Sequence, residues 1–265
     1  MAENKREKHF VLVHGMCKGA WCWYKLKTQL ESAGYRVTAL DLAASGINMK
    51  MKSIEDILTF HEYSEPLLEM LASLPSNEKV ILVGHSLGGI NLALAMDKFP
   101  EKISVGVFLT ASMPDTTHQP SYVLDKCFGN VSAEEWLDTQ YSPYSGPEQP
   151  LISVTLGPQF MASYLYQQCP VEDLELAKTL VRPGSAFLPD LSKATKFSDE
   201  GYGSTARVYL VCKEDRVMPE EFQRWMIENH QVNNVMEIEG ADHMAMLSKP
   251  QEVCRCLLEI GKQYA

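Results

Sequence analysis

Short apolar runs alternate with amphipathic stretches along most of the chain. The runs HFVLVHG (9–15), RVTALDL (36–42), KVILVGH (79–85) and ISVGVFLTA (103–111) read as strands, and most are near-continuous in apolar residues, as strands buried on both faces are. Helical spacing fills the intervals: WYKLKTQLESAG, closed by Gly34; a long pattern over 53–74, with Ser53 placed to cap it; and 87–99. Pro66 falls inside the second of these and predicts a kink or break there. The rhythm returns with a strand over 207–215, a helix over 219–230, a strand over 234–240 and a terminal helix over 249–264. Six strands separated by helices predict an α/β fold, with a mostly parallel six-stranded sheet covered on both faces.

Between Met113 and about Gly203 the alternation is lost. Nine of the fourteen prolines fall there, and aromatic residues are frequent. The interval reads as an insertion between the fourth and fifth strands. This divides the chain into a core (1–112 and 204–265) and a lid or cap (113–203).

Composition narrows the function. With 265 residues, 45% of them hydrophobic, the chain buries enough apolar surface to fold without disulfides or metals. A net charge of -10 excludes a nucleic-acid partner, which calls for a basic patch. Seven cysteines, an odd number without metal-binding spacing, predict ordinary thiols in a reducing, cytoplasmic setting, and no residue cluster asks for a metal or cofactor. The first residues, MAENKREKHF, lack the apolar core of a secretion signal. No window approaches the roughly 20 apolar residues of a membrane span.

The third strand ends in Gly84-His85-Ser86-Leu87-Gly88 and a helix opens at once. A serine between glycines at a strand-to-helix turn has the form of a nucleophile elbow. The glycines let strand and helix approach, which strains the serine and lifts its hydroxyl above the sheet edge. A serine hydroxyl needs a base to remove its proton, and the base needs an orienting carboxylate. Of the two histidines after the insertion, His230 lies in a helix-to-strand connection, whereas His243 follows the last strand, where active-site loops converge. His243 is therefore the expected base. Asp215, after the fifth strand, is the expected acid. Glu214 alternates away, and Asp242 adjoins His243 too closely for the imidazole hydrogen bond. His85 reads as a packing residue. The oxyanion donors expected are the backbone N–H groups of Leu87 and of Met16, in the loop after the first strand.

These segments, with VTALDLAASGI, ISVGVFL, EDLELAKTLVRPGS and GADHMAMLSKPQEV, resemble the plant methylesterase branch of the α/β-hydrolase superfamily over nearly the whole chain. That branch includes methyl salicylate esterase, polyneuridine aldehyde esterase and hydroxynitrile lyases. YSEPLLEMLAS and PEKISVGVFL bring the chain nearest to polyneuridine aldehyde esterase. The resemblance implies an α/β-hydrolase fold and cofactor-free hydrolysis of methyl esters of small apolar acids, hormone or alkaloid, through Ser86, Asp215 and His243. It also implies a homodimer.

Two other activities share the scaffold: cyanohydrin cleavage and small-molecule (hormone) reception. The lyases carry threonine where this chain has Gly15 and lysine where it has Met244, so both positions favour hydrolysis. The family's lid tryptophan implies ligand contact by Trp136. Met113, Tyr122, Phe160, Leu188 and Met218 are further candidate contacts.

Overall fold

The computed structural model describes residues 8–47, 53–129, 132–146 and 150–264. Residues 1–7, most of the stretch on which the secretion argument rests, lie outside them. In chain order the elements are β1 (His9–Val13), α1 (Tyr24–Ser32), β2 (Arg36–Leu40), α2 (Phe60–Ser73), β3 (Val80–Ser86), α3 (Gly88–Lys98) and β4 (Ile103–Ala111). After β4 come α4 (Tyr122–Phe128), an antiparallel hairpin of β5 (Gln140–Tyr144) and β6 (Leu151–Thr155), and a helix over Val171–Leu180. The pattern ends with β7 (Arg207–Cys212), a helix over Glu220–Asn229, β8 (Asn234–Ile238) and a helix over Pro250–Tyr264.

The main sheet has the order β2-β1-β3-β4-β7-β8, and every neighbouring pair is parallel. Strand alternation divides the core in two. Phe10, Leu12, Ile81 and Val83 pack with Leu26 and Leu30 of α1 and Leu257 and Ile260 of the terminal helix. Val11, Val13, Val80 and Leu82 pack with Leu67 and Leu71 of α2 and Ile90 and Ala93 of α3. Both faces are buried, so the strands carry the continuous apolar runs seen in the sequence.

Three local expectations change. The helix expected from residue 53 begins at Phe60. Thr59 caps it, accepting from the Glu62 N–H (3.1 Å), while the Glu62 carboxylate accepts from the Thr59 N–H (3.1 Å). Ser53 caps only a short turn over Ile54–Asp56. Pro66 does not break α2, because Leu67, Leu68 and Leu71 are buried on the same helix and packing outweighs one lost hydrogen bond. The β5–β6 hairpin escaped the sequence pattern because Pro143 sits inside β5, a residue tolerated only where no ladder bond is needed.

The fold's function-bearing edge is built at the C-terminal ends of β1, β3, β7 and β8. There α3 rises so close to β1 that a Cβ on Gly88 would lie 2.8 Å from the carbonyl oxygens of both Val13 and His14. Neither backbone oxygen can yield without shifting β1. Gly88→Ala is therefore expected to lower stability by about 1–3 kcal/mol, the usual cost of overpacking, read as a reduced urea midpoint. An unchanged midpoint would show that the approach is looser than this.

Candidate active site

Ser86 ends β3 with φ +55, the left-handed region that side-chain-bearing residues rarely adopt. The register between β3 and β4 slips between His85 and Ser86, so that Ser86 pairs with Ala111 and its carbonyl accepts from the Ser112 N–H (2.9 Å). Beside it, Gly15 of the loop after β1 lies so near that a Cβ there would stand 2.7 Å from the Ser86 Cβ. His14 fixes this loop. Its Nε2 accepts from the Leu42 N–H (3.1 Å), so its Nδ1 carries the proton and donates to the Gly15 carbonyl (2.8 Å).

Across the chamber the His243 Nδ1 meets Asp215 Oδ2 at 2.7 Å, and both residues are buried. The other Asp215 oxygen accepts from the N–H groups of Val217 (2.7 Å) and Met218 (2.9 Å), and the Thr110 hydroxyl donates to Oδ2 (2.5 Å). Buried Gln223 ties the turn together, donating to the Cys212 and Met218 carbonyls and accepting from the Cys212 N–H. The rivals point elsewhere. Asp242 accepts from the Gln168 and Met244 N–H groups and from the Ser248 hydroxyl, and Glu214 is exposed.

His85 holds His243 in place. Its Nε2 bonds to the His243 carbonyl (2.7 Å) and the two rings lie 4.7 Å apart. Burial, reinforced by the neighbouring His243, keeps the His85 pKa well below the ordinary histidine value. His85 is thus neutral, and its proton sits on Nε2.

Ser86, His243, Gly15, Met16 and Leu87 all line one chamber of about 50 Å³, roofed by Trp136 and Phe160, with Met218 on its wall. Such a space holds only a few water molecules. Trp136 is half-buried and stacks on Phe160 (5.1 Å). With Phe128 it also borders a larger apolar cleft of about 580 Å³ that includes Leu188.

Three candidate contacts lie off these cavities. Met113 is wholly buried in the core, its N–H directed at the Met226 sulfur. Tyr122 stacks on His118 (4.0 Å) on the far side of α4. Met244 is wholly buried, in the same core cluster as Cys254 and Leu257, and lines neither cavity. A strand or loop position does not reveal which way a side chain turns.

The residues that the sequence does not flag are Thr110 and Gln223, which hold Asp215 and its turn, and Lys18, which lines the chamber. The spacing HGMCKG held Lys18 in view but gave no sign of its direction. Among the described residues no group of histidine, cysteine or acidic side chains is arranged to hold a metal.

A left-handed serine over a parallel sheet, facing an imidazole–carboxylate pair carried by two later strands, is a hydrolase layout. Comparison with known proteins agrees. The model of the alpha/beta hydrolase family matches residues 10–255. Methylesterase 1 of Arabidopsis thaliana is 60% identical over all of both chains. Salicylic acid-binding protein 2 of Nicotiana tabacum is 58% identical, covering 98% of this chain and 99% of its own. The crystal structure of polyneuridine aldehyde esterase superposes with a TM-score of 0.92 at 56% identity, over 96% of this chain and 99% of that one. The chain belongs to the alpha/beta hydrolase family, in its plant methylesterase branch. The motifs that drew it toward polyneuridine aldehyde esterase identify a close relative, at slightly lower identity than the two plant proteins above.

The buried histidines set a pH limit on this architecture. Burial lowers the pKa of His14, His85 and His230, and takes that of His9 down to about 4 with help from Arg36. In the unfolded chain each takes up a proton near the ordinary value of about 6.5. Below that value the unfolded state binds more protons than the folded one, so stability falls on acidification. Asp242, whose pKa burial raises, works the other way but is one group against four. The urea midpoint is expected to drop between pH 7 and pH 5. A midpoint that holds or rises over this interval would contradict neutral burial of these rings.

Proposed function

We propose that the chain is a serine esterase that hydrolyses methyl esters of small apolar acids, hormone or alkaloid in class. The observation that carries this reading is the His243–Asp215 pair, at 2.7 Å, with His243 lining the same chamber as left-handed Ser86. The Ser86 hydroxyl attacks the ester carbonyl while the His243 imidazole takes its proton. Asp215 orients the ring and stabilises the imidazolium. The Met16 and Leu87 N–H groups hold the oxyanion, each worth about 10²–10³ in turnover. Collapse breaks the bond to methoxide, which leaves as methanol with the proton from His243. Water then repeats the sequence and frees the acid.

The segment 113–203 acts as a lid over the core of 1–112 and 204–265. The acid portion of the ester extends past Trp136 toward the cleft bordered by Phe128 and Leu188. Membership of this branch supports a homodimer, and seven free thiols fit a cytoplasmic site of action. Among the described residues no helix is long and apolar enough to cross a membrane.

The steric half of the argument against a lyase rests on Gly15. A threonine there would collide with the Ser86 Cβ. The half that rested on Met244 does not carry over, because Met244 is wholly buried and is not among the residues lining the chamber.

Two outcomes test the proposal. Ser86→Ala is expected to lower methyl-ester turnover by at least about a thousandfold, in line with losses from removing a nucleophile, while circular dichroism stays that of the wild type. Gly15→Ala is expected to cost about a hundredfold, because a displaced nucleophile loses its attack geometry. Retained turnover in Ser86→Ala, or faster cleavage of mandelonitrile than of any methyl ester by the wild type, would overturn the assignment.

A further inference from the structure

Lys18 is the one lysine or arginine that lines the chamber over Ser86, and none of the described residues accepts a hydrogen bond from it. The side chain is 2% exposed, and its Nζ has no hydrogen-bond partner among the described residues. Its contact is with the Tyr166 ring, whose centroid lies 5.1 Å away and whose own hydroxyl is equally unpartnered. The groups that act on it electrostatically are the thiols of Cys17, Cys22 and Cys169. His14 and His85 stand close enough to feel its charge. No carboxylate pairs with it among the described residues.

The loop holds this side chain inward by design of its backbone. Cys17 is left-handed, with φ +64, and the Lys18 N–H closes a turn onto the Gly15 carbonyl (3.3 Å). From the far side the Cys17 thiol donates to the Val154 carbonyl of β6 (3.4 Å), and its carbonyl accepts from the Arg182 N–H (3.4 Å). Snorkelling to solvent, the ordinary escape for a lysine, is closed off. Burial pushes its pKa down to about 8, which leaves the ammonium form predominant at neutral pH. A buried ammonium without an acceptor is costly, and the cavity that Lys18 borders is the chamber over Ser86.

We propose that Lys18 determines specificity by binding an oxygen on the acid portion of the substrate. The esters preferred are then those of small apolar acids that carry a hydroxyl or carbonyl oxygen close to the ester group. Proximity follows from size: Lys18 and Ser86 border a space of about 50 Å³, so a ligand oxygen within reach of one lies near a carbonyl seated at the other. This inference rests on the esterase reading and narrows its substrate class.

The test compares kcat/KM on two matched pairs: methyl 2-hydroxybenzoate with methyl benzoate, and methyl 3-oxo-3-phenylpropanoate with methyl 3-phenylpropanoate. 4-Nitrophenyl acetate, whose acyl part has no second oxygen, reports the esterase reading by itself. The wild type is expected to favour the oxygenated member of each pair. Lys18→Met is expected to lower that preference about tenfold or more, as loss of a charge-assisted hydrogen bond does. Lys18→Gln, which keeps an N–H donor without the charge, is expected to fall between. Lys18→Met is also expected to melt no lower than the wild type, since it removes an unpaired buried charge. No preference in the wild type, or an equal preference in wild type and both variants, would overturn the role of Lys18 while leaving the esterase intact. No turnover of any ester, 4-nitrophenyl acetate included, would instead overturn the esterase reading.

Discussion

Three backbones meet at Ser86 with no room to spare, and the rest of the site depends on that contact. The loop after β1 presses Gly15 against the serine, and α3 presses Gly88 against the end of β1. Ser86 itself is held at φ +55, a conformation that costs about 1–3 kcal/mol and persists only where its surroundings overdetermine it. Those surroundings are the buried run Val80–Val83 and the buried Ile90, Leu92 and Ala93 of α3. The apolar core thus holds a polar hydroxyl in a position it would not adopt alone. Strain at the apex and burial beneath it are two parts of one arrangement.

The polar half of the site is fixed with equal economy. Asp215 accepts from two backbone N–H groups, a threonine hydroxyl and an imidazole, so few of its lone pairs are left without a partner. His85 reaches across to the His243 backbone and stays neutral because burial disfavours its charge. Little reorganisation is therefore needed when charge develops on the serine oxygen, and preorganised groups in a water-poor chamber are worth more than the same groups in water. Lys18 stands apart in this design, since it is the one charged side chain lining the chamber whose end has no hydrogen-bond partner among the described residues.

Much of this was legible in the sequence. Strands buried on both faces announce themselves as apolar runs, and all six of the main sheet were visible, down to the bounds of β4 (Ile103–Ala111). The chain order of serine, acid and histidine points to Ser86, Asp215 and His243, and the structure brings Ser86 and His243 into one chamber with Asp215 bonded to His243. What could not be read was direction. Met113, Tyr122 and Met244 were sensible ligand contacts by position, yet the first and third turn into the core and the second stacks on His118. Conversely, Thr110 and Gln223 lie in a strand and a helix whose patterns show only burial, and Lys18 looked like any surface lysine. The start of α2 was misjudged for a related reason: Ser53 and Thr59 both begin plausible caps, and only packing of the α2 face against the sheet decides between them.

The central claim is that the strained serine, and none of the seven cysteines, forms the covalent acyl intermediate. A fluorophosphonate probe tests this most directly, because it is attacked as an ester is but stalls at the first adduct. Intact-mass and peptide analysis after brief incubation should show one adduct per chain, on Ser86, with loss of labelling in His243→Ala. An adduct on Cys17, Cys127 or another residue, or full esterase activity in protein that carries the label on Ser86, would contradict the account.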